Sequence, residues 1–118
     1  MKKLVSALAG AAFLACAVPA FADPSGSYNV KGVNPDGTNY EASVLVAKVG
    51  DTYTLTYTLD DGAKAHGTAI GDDDLLSIGY GQEGDIGVAL MMRKGKDWEG
   101  VWTYLGAKNM GTETWQPD

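Results

Sequence analysis

The side chains best suited to chemistry in this chain are phenols and indoles that recur at even spacings. Tyr53 and Tyr57 belong to one such series, and Trp98, Trp102 and Tyr104 belong to another. Each group combines an apolar ring with one hydrogen-bond donor, so several of them around a common space suit ligand binding. Together with one carboxylate they form our set of candidate ligand-binding residues: Tyr53, Tyr57, Trp98, Trp102, Tyr104 and Glu113.

Glu113 supplies that carboxylate and shares a predicted strand face with Trp115. If this face points inward, the carboxylate needs a partner, because an unpaired buried charge is costly. The donors available are Arg93, which is the only arginine, and the tyrosine hydroxyls. A structural ion pair is favoured over a ligand-binding acid, and a register with both side chains on the outer surface stays open. An enzyme that uses Glu113 with a tyrosine is a further hypothesis.

The remaining residues form no catalytic or metal-binding pattern. His66 is the single histidine, and without further ligands or a placed acid it predicts neither a metal site nor a catalytic triad. Asp72, Asp73 and Asp74 lack the spacing of a calcium loop and indicate a solvated turn. We assign the glycines to turns, which leaves no phosphate-binding loop. The sequence therefore predicts a protein that is not an enzyme and uses no cofactor and no metal.

The elements that must position these side chains are β-strands, and the clearest is the segment 51–61, DTYTLTYTLDD. Its tyrosines and leucines alternate with threonines. Side chains in a strand point to opposite faces with period two, so this segment predicts a half-buried strand with one apolar face. An Asp-Gly step follows it and indicates a hairpin turn.

The same alternation, interrupted by short Gly and Asp turns, predicts eight strands. The strands are expected at 25–33, 38–48, 51–61, 63–70, 75–80, 86–92, 98–104 and 110–115. Connections of two to five residues favour pairing between neighbours in sequence. Since an open meander would leave two exposed edges, we predict an all-β fold, a small closed eight-stranded antiparallel up-and-down β-barrel with the first strand against the last.

Such a barrel is about wide enough to be filled by its own side chains or to hold one small ligand. The interior could therefore be a packed aromatic core or an aromatic-lined cup, and the packed core is favoured. The tyrosines support the cup, because each hydroxyl in a dry core requires a partner. The aromatic residues predicted to face inward are Tyr28, Tyr40, Tyr53, Tyr57, Tyr80, Trp98, Trp102 and Tyr104.

The N-terminal residues 1–22 have the pattern of a secretory signal peptide. Lys2 and Lys3 precede an uncharged apolar run, and the sequence Ala-Phe-Ala at 20–22 is a cleavage pattern. The run is shorter than a membrane span needs, so we expect a soluble domain of residues 23–118 in the periplasm or outside the cell. Cys16 stands in a poor lipoprotein context, which makes a lipid anchor there the minor alternative.

Charge narrows the range of partners. The whole chain carries a net charge of −6, and removal of Lys2 and Lys3 with the signal peptide makes it −8. Binding to nucleic acid or to anionic lipid surfaces needs clustered lysine and arginine, so both are disfavoured.

The turn and strand motifs resemble those of a known family. They are Gly26-x-Tyr28-x-Val30-x-Gly32, then Asn34-Pro35-Asp36-Gly37-x-x-Tyr40, and the closing Gly111-Thr112-Glu113-Thr114. This pattern resembles a family of small exported bacterial β-proteins, some of which carry lipoprotein or fibronectin-binding labels. The resemblance implies an exported β-protein and assigns no functional residue.

The architecture is also similar to that of lipocalins and avidins, although their ligand-binding residues have no counterpart here. The leading hypothesis is therefore an exported, non-enzymatic protein that binds a small apolar or aromatic ligand. The alternative is a cell-surface protein-interaction module with fibronectin or another matrix protein as its candidate partner, which would require an exposed apolar patch or an unpaired strand edge.

Overall fold

The computed structural model describes residues 23–82 and 84–118. The predicted signal peptide and Cys16 lie outside the described residues. The described chain consists of eight strands joined by turns, and it contains no helix long and apolar enough to cross a membrane. The strands are β1 (Gly26–Val33), β2 (Asn39–Val49), β3 (Thr52–Leu59), β4 (Lys64–Gly71), β5 (Leu75–Gln82), β6 (Asp85–Lys94), β7 (Asp97–Tyr104) and β8 (Gly111–Pro117).

Each strand pairs antiparallel with its neighbours in sequence, and β1 also pairs with β8, so the sheet closes into an up-and-down barrel. Across the closing pair, Val30 of β1 lies opposite Trp115 of β8. Closure gives both terminal strands a hydrogen-bonded partner on each side, so no strand edge of the described chain is left free. The predicted eight-stranded barrel is confirmed.

Alternation along β3 places its side chains as the sequence predicts. Tyr53, Leu55 and Tyr57 are buried, whereas Thr52 and Thr54 are exposed. Burying large apolar side chains on one face stabilises the barrel by roughly 1.5–3 kcal/mol for each such residue. The hydroxyl face of the strand remains in water, where it needs no protein partner.

Strand β6 turns its larger side chains outward. Gly87, Ala89 and Met91 are buried, whereas Val88 and Leu90 are 57% and 43% exposed. Only small groups fit inside near Gly87 because an aromatic ring from the neighbouring strand lies over it. Val88 and Leu90 line a shallow outer depression together with Ile70 of β4, Val101 of β7 and Met110, which precedes β8. These five residues are here called the outer apolar face.

One end of the barrel is closed by packing. Trp98 and Trp115 are fully buried there, with ring centroids 6.3 Å apart. Pro24 is fully buried at the same end, and its carbonyl accepts a hydrogen bond of 2.7 Å from the Tyr28 hydroxyl. The guanidinium of Arg93 lies 4.6 Å from the Trp98 ring centroid. This end is a solid aromatic core, as the favoured interpretation of the sequence expects.

The opposite end is bounded by the turns after β1, β3, β5 and β7. The first of these is the predicted Asn-Pro-Asp-Gly turn, in which the Gly37 N–H donates to the Asn34 carbonyl at 2.8 Å. Gly37 has a φ of 92°, a conformation that favours glycine. Asp36 accepts the Thr38 N–H at 2.9 Å and fixes the entry into β2. These local bonds hold the rim of the open end in place.

Candidate functional site

A cavity of about 540 Å³ opens at this end of the barrel. Five aromatic side chains from four strands line it, along with the carboxylate of Glu113. The aromatic residues are Tyr40, Tyr57, Tyr80, Trp102 and Tyr104. The interior is therefore packed at one end and hollow at the other, which combines the two alternatives that the sequence left open.

Cross-strand glycines create room for the rings to lie against the wall. Tyr40 lies opposite Gly32, and Tyr80 lies opposite Gly87. A Cβ atom on either glycine would stand only 2.1 Å or 2.2 Å from Cζ of the facing ring, so each tyrosine lies directly on glycine backbone. This arrangement protects the glycine backbone with an aromatic face. Both glycines lie within strands, as the predicted strand bounds place them, so a role in turns does not account for them.

Small side chains on β4 and β6 leave the space that the rings surround. The inward positions near the opening are occupied by Ala65 and Gly67 on β4 and by Gly87 and Ala89 on β6. These residues carry at most one side-chain carbon, and the large inward residue of β5 between them, Tyr80, lies against Gly87. The barrel keeps a regular width here. The cavity therefore results from the small inward side chains of β4 and β6, which do not fill the space inside it.

The aromatic residues form a continuous series of edge and tilted contacts. Ring centroids are 5.9 Å apart for Tyr40 and Trp102, 6.2 Å for Trp102 and Tyr80, and 6.4 Å for Tyr80 and Tyr57. These spacings are those of favourable aromatic pairs, which contribute about 0.5–1.5 kcal/mol each beyond the area they bury. The series links rings from four of the strands along the cavity wall.

Glu113 lies at the inner end of the cavity and is 8% exposed. Its Oε2 accepts a hydrogen bond of 2.5 Å from the Tyr40 hydroxyl. Its Oε1 accepts bonds from the Trp115 indole N–H at 2.8 Å and from the Tyr57 hydroxyl at 3.3 Å. The predicted ion pair with Arg93 is wrong, because Arg93 lies at the closed end and donates to the Asp73 carbonyl.

Burial raises the pKa of the Glu113 carboxyl above its ordinary value, because a charge is poorly solvated inside the barrel. The hydrogen bonds from Tyr40, Trp115 and Tyr57 act in the opposite direction and offset part of that effect. Burial, and then the negative charge of Glu113, raises the pKa of Tyr57 and Tyr40. Both phenols therefore remain protonated and keep their donor role.

The sequence-predicted site residues divide between the two ends of the barrel. Tyr57, Trp102, Tyr104 and Glu113 line the cavity. Trp98 and Tyr53 do not: Trp98 belongs to the closed-end core, and Tyr53 is buried in that core beneath the ammonium of Lys48, 4.9 Å from its ring centroid. Alternation places all six on inward faces, but it carries no information on depth along the barrel axis.

Tyr40 and Tyr80 line the cavity and were missing from the candidate set, although both were predicted to face inward. The signal that distinguishes them is an inward glycine on the adjacent strand, Gly32 for Tyr40 and Gly87 for Tyr80. Such a glycine can be matched to its tyrosine only when the strand register is known, because the alternation of side chains within one strand does not show which residues face each other across strands.

The weaker candidates lie away from the cavity. His66 is an exposed residue on the outer surface of β4. Asp72 accepts the N–H groups of Asp74 and Leu75 within an exposed turn, as predicted. Within residues 23–82 and 84–118, no three acidic, histidine or cysteine side chains come close enough together to hold a metal ion.

The sequence matches no protein-family model and no curated protein. Several solved structures are similar in fold. A redesigned β-barrel, mFAP1, in a structure bound to DFHBI, has a TM-score of 0.66 and 18% identity, covering 78% of this chain and 93% of that chain. EF1p2_mFAP2b bound to DFHBI has a TM-score of 0.66 and 17% identity, covering 80% and 93%.

A third similar structure is a fluorescence-activating β-barrel that was designed de novo. It has a TM-score of 0.57 and 10% identity, covering 80% of this chain and 94% of that chain. At such identities the likeness shows the fold alone. The molecule is thus a small closed antiparallel β-barrel, and its open end carries an aromatic-lined cavity around one buried carboxylate.

The contact between Gly87 and Tyr80 predicts a difference between two glycine substitutions. Gly87→Ala should lower the free energy of unfolding by about 1–3 kcal/mol, because the new methyl group must displace the ring. Gly79→Ala on β5 is the matched control, since a Cβ there meets nothing within 4 Å. It should change the free energy by less than about 1 kcal/mol. Urea unfolding of both variants measures this, and equal losses would contradict the described packing.

The raised pKa of Glu113 predicts how stability depends on pH. Folded protein holds the Glu113 proton more tightly than unfolded protein does, so this group stabilises the fold at low pH. That contribution is lost as pH rises from the ordinary value of 4.5 through the folded pKa. The stability of the natural protein relative to Glu113→Gln should therefore fall with rising pH, by at most about 1.4 kcal/mol per pH unit.

Urea unfolding of both proteins between about pH 4 and about pH 8 checks this prediction. Both proteins contain the same other carboxylates, so the effects of those groups on the free energy of unfolding cancel in the difference. A difference that instead grew in favour of the natural protein at higher pH would show that the Glu113 pKa is lowered by folding.

Proposed function

We propose that this protein is a non-enzymatic carrier or sensor of a small apolar or aromatic molecule, bound in the open end of the barrel. The observation that carries the proposal is the cavity of about 540 Å³ with its wall of five aromatic side chains. This volume lies within the range of small-molecule sites in proteins, which are mainly apolar with a few placed polar groups. Here Glu113 and its donors are those polar groups.

The structural neighbours support the proposal at the level of fold. The structures of mFAP1 and EF1p2_mFAP2b are bound to DFHBI, so barrels of this architecture hold a small molecule. What supports a binding role over catalysis in this chain is the engagement of the Glu113 oxygens by Tyr40, Tyr57 and Trp115. A general base takes up the substrate proton, and the three hydrogen bonds to Glu113 stabilise its charged form and so oppose that step, although one acceptor position on Oε2 stays open.

The outer apolar face favours a second function, which is interaction with a protein partner such as fibronectin, after which some proteins of the resembled family are labelled. Ile70 and Met110 are 64% and 66% exposed, and Val88 and Leu90 lie between them on the same surface. Contiguous exposed apolar surface often marks a protein contact. The closed sheet offers no free edge for an added strand within the described residues, so such a partner would bind side chains.

A dye titration with two substitutions at adjacent positions distinguishes the two surfaces. Ala89 points into the cavity and Val88 points out of the barrel. N-phenylnaphthylamine, an uncharged dye that fluoresces in apolar sites, should bind the natural protein with one saturable site. Ala89→Trp should fill the cavity and weaken binding at least about tenfold, whereas Val88→Trp should leave it unchanged.

Circular dichroism of each variant shows whether the barrel persists, and Ala65→Phe offers a second way to fill the cavity. Loss of binding in Val88→Trp alone would assign the dye to the outer apolar face and favour the protein-interaction function. Absence of saturable binding to the natural protein would overturn the carrier proposal.

We also propose that the protein is exported and that its mature form begins at Asp23. The basic start and the Ala-Phe-Ala pattern support cleavage there. The burial of Pro24 against the barrel is consistent with a folded domain that begins at that point. Intact mass spectrometry of the protein from its own cells should give the mass of residues 23–118, whereas a lipid-modified Cys16 at the N-terminus would contradict it.

A further inference from the structure

The charged residues that line the cavity all have the same sign. Glu41, Asp60, Asp61 and Asp85 lie on its exposed rim, and Glu113 lies at its inner end. Among the described residues that line the cavity, none is a lysine, an arginine or a histidine. Acidic groups around an opening with low-dielectric walls concentrate cations there.

The buried carboxylate of Glu113 lacks a counter-ion within this wall. Its hydrogen bonds come from two phenols and one indole, all of which are neutral donors. Lys64 is near the rim in sequence, but its Nζ bonds the Thr58 hydroxyl at 3.0 Å on the outer surface. Neutral donors compensate the desolvation of a carboxylate only in part, so an opposite charge brought next to it would be stabilised.

The acceptor capacity of Glu113 is also incomplete. Oε1 accepts two hydrogen bonds, whereas Oε2 accepts one, from Tyr40. Each oxygen of an ionised carboxylate can accept two. One acceptor position on Oε2 therefore remains for a donor that arrives from the cavity.

The rings present the surface that a cation prefers. Because the hydroxyls of Tyr40 and Tyr57 are bonded to Glu113, both rings stand beside the carboxylate with their hydroxyls already engaged. Tyr80 and Trp102 continue the wall at centroid spacings of about 6 Å. Aromatic faces carry negative partial charge and attract ammonium groups, most strongly where water is excluded.

We propose that the ligand of this cavity is an organic cation, with a protonated or quaternary nitrogen on an apolar or aromatic body. The nitrogen sits beside Glu113 within the aromatic wall, and the body fills the space next to Ala65 and Ala89. This inference rests on the proposed carrier function and specifies the ligand charge. The acidic rim attracts the cation, whereas the aromatic wall and Glu113 hold it.

The test compares two dyes of nearly the same shape and different charge. Thioflavin T is a cationic benzothiazolium, and its uncharged benzothiazole counterpart lacks the ring N-methyl group. Each is titrated against the full-length mature protein by displacement of N-phenylnaphthylamine. The natural protein should bind the cation at least about tenfold more tightly than the neutral dye.

Glu113→Gln should reduce this ratio of affinities at least about threefold, because the substitution removes the inner charge and keeps the shape, while the acidic rim and the aromatic wall are unchanged. Glu99→Gln, an exposed residue on the outer surface of β7, is the matched control and should keep the natural ratio. Equal affinities for both dyes in the natural protein would overturn the cation inference and leave the carrier function standing. The ratio of the two dye affinities in the natural protein therefore tests the cation inference even if Glu113→Gln does not fold.

Two other outcomes have distinct meanings. If neither dye displaces N-phenylnaphthylamine and that dye itself does not bind, the carrier function fails and the inference fails with it. If the cation is preferred to the same degree in Glu113→Gln, the rim carboxylates and the aromatic wall account for the preference, and the proposed role of Glu113 is overturned.

Discussion

Eight strands that close on themselves enclose a space about wide enough for one layer of large side chains. At the closed end, Trp98 and Trp115 occupy that space completely. At the open end, the rings of Tyr40 and Tyr80 lie back on Gly32 and Gly87, and the axis is left empty. The same sheet thus encloses a packed core at one end and a cavity at the other. The size of a few inward side chains determines which of the two forms. The packed core and the cavity are thus confined to different ends of one small domain.

Glu113 lies where these two regions meet. Its carboxylate accepts a hydrogen bond from the Trp115 N–H at the packed end and another from the Tyr40 hydroxyl at the hollow end. A carboxylate at this depth is costly, since its partners inside the barrel are neutral. An apolar residue at such a position would stabilise a barrel of this size more, so the acid is consistent with a selected function. The cost of holding it is offset by the aromatic packing around it.

Alternation and turn residues were enough to predict the eight strands, their order and the closure of the sheet, since period-two patterns and Asp-Gly steps are local properties. They also placed Glu113 on a face shared with Trp115. The cavity could not be predicted in this way, because it depends on which residues meet across strands. Gly32 facing Tyr40, and Ala65 facing Tyr57, become meaningful only once register is known. The Arg93 pairing failed for the same reason: distance along the barrel axis is invisible to a strand pattern.

Both ends of the described chain lie at the closed end of the barrel. Pro24 contacts Tyr28 there, and the Asp118 N–H donates to the Ser27 carbonyl. The mouth is at the opposite end, one strand length or about 25 Å away. A tether attached to either terminus would therefore orient the molecule with its opening away from the attachment point. Fusion partners, affinity resins and sensor surfaces joined at either terminus would therefore leave the mouth of the cavity uncovered, and immobilised molecules would all present it in the same direction.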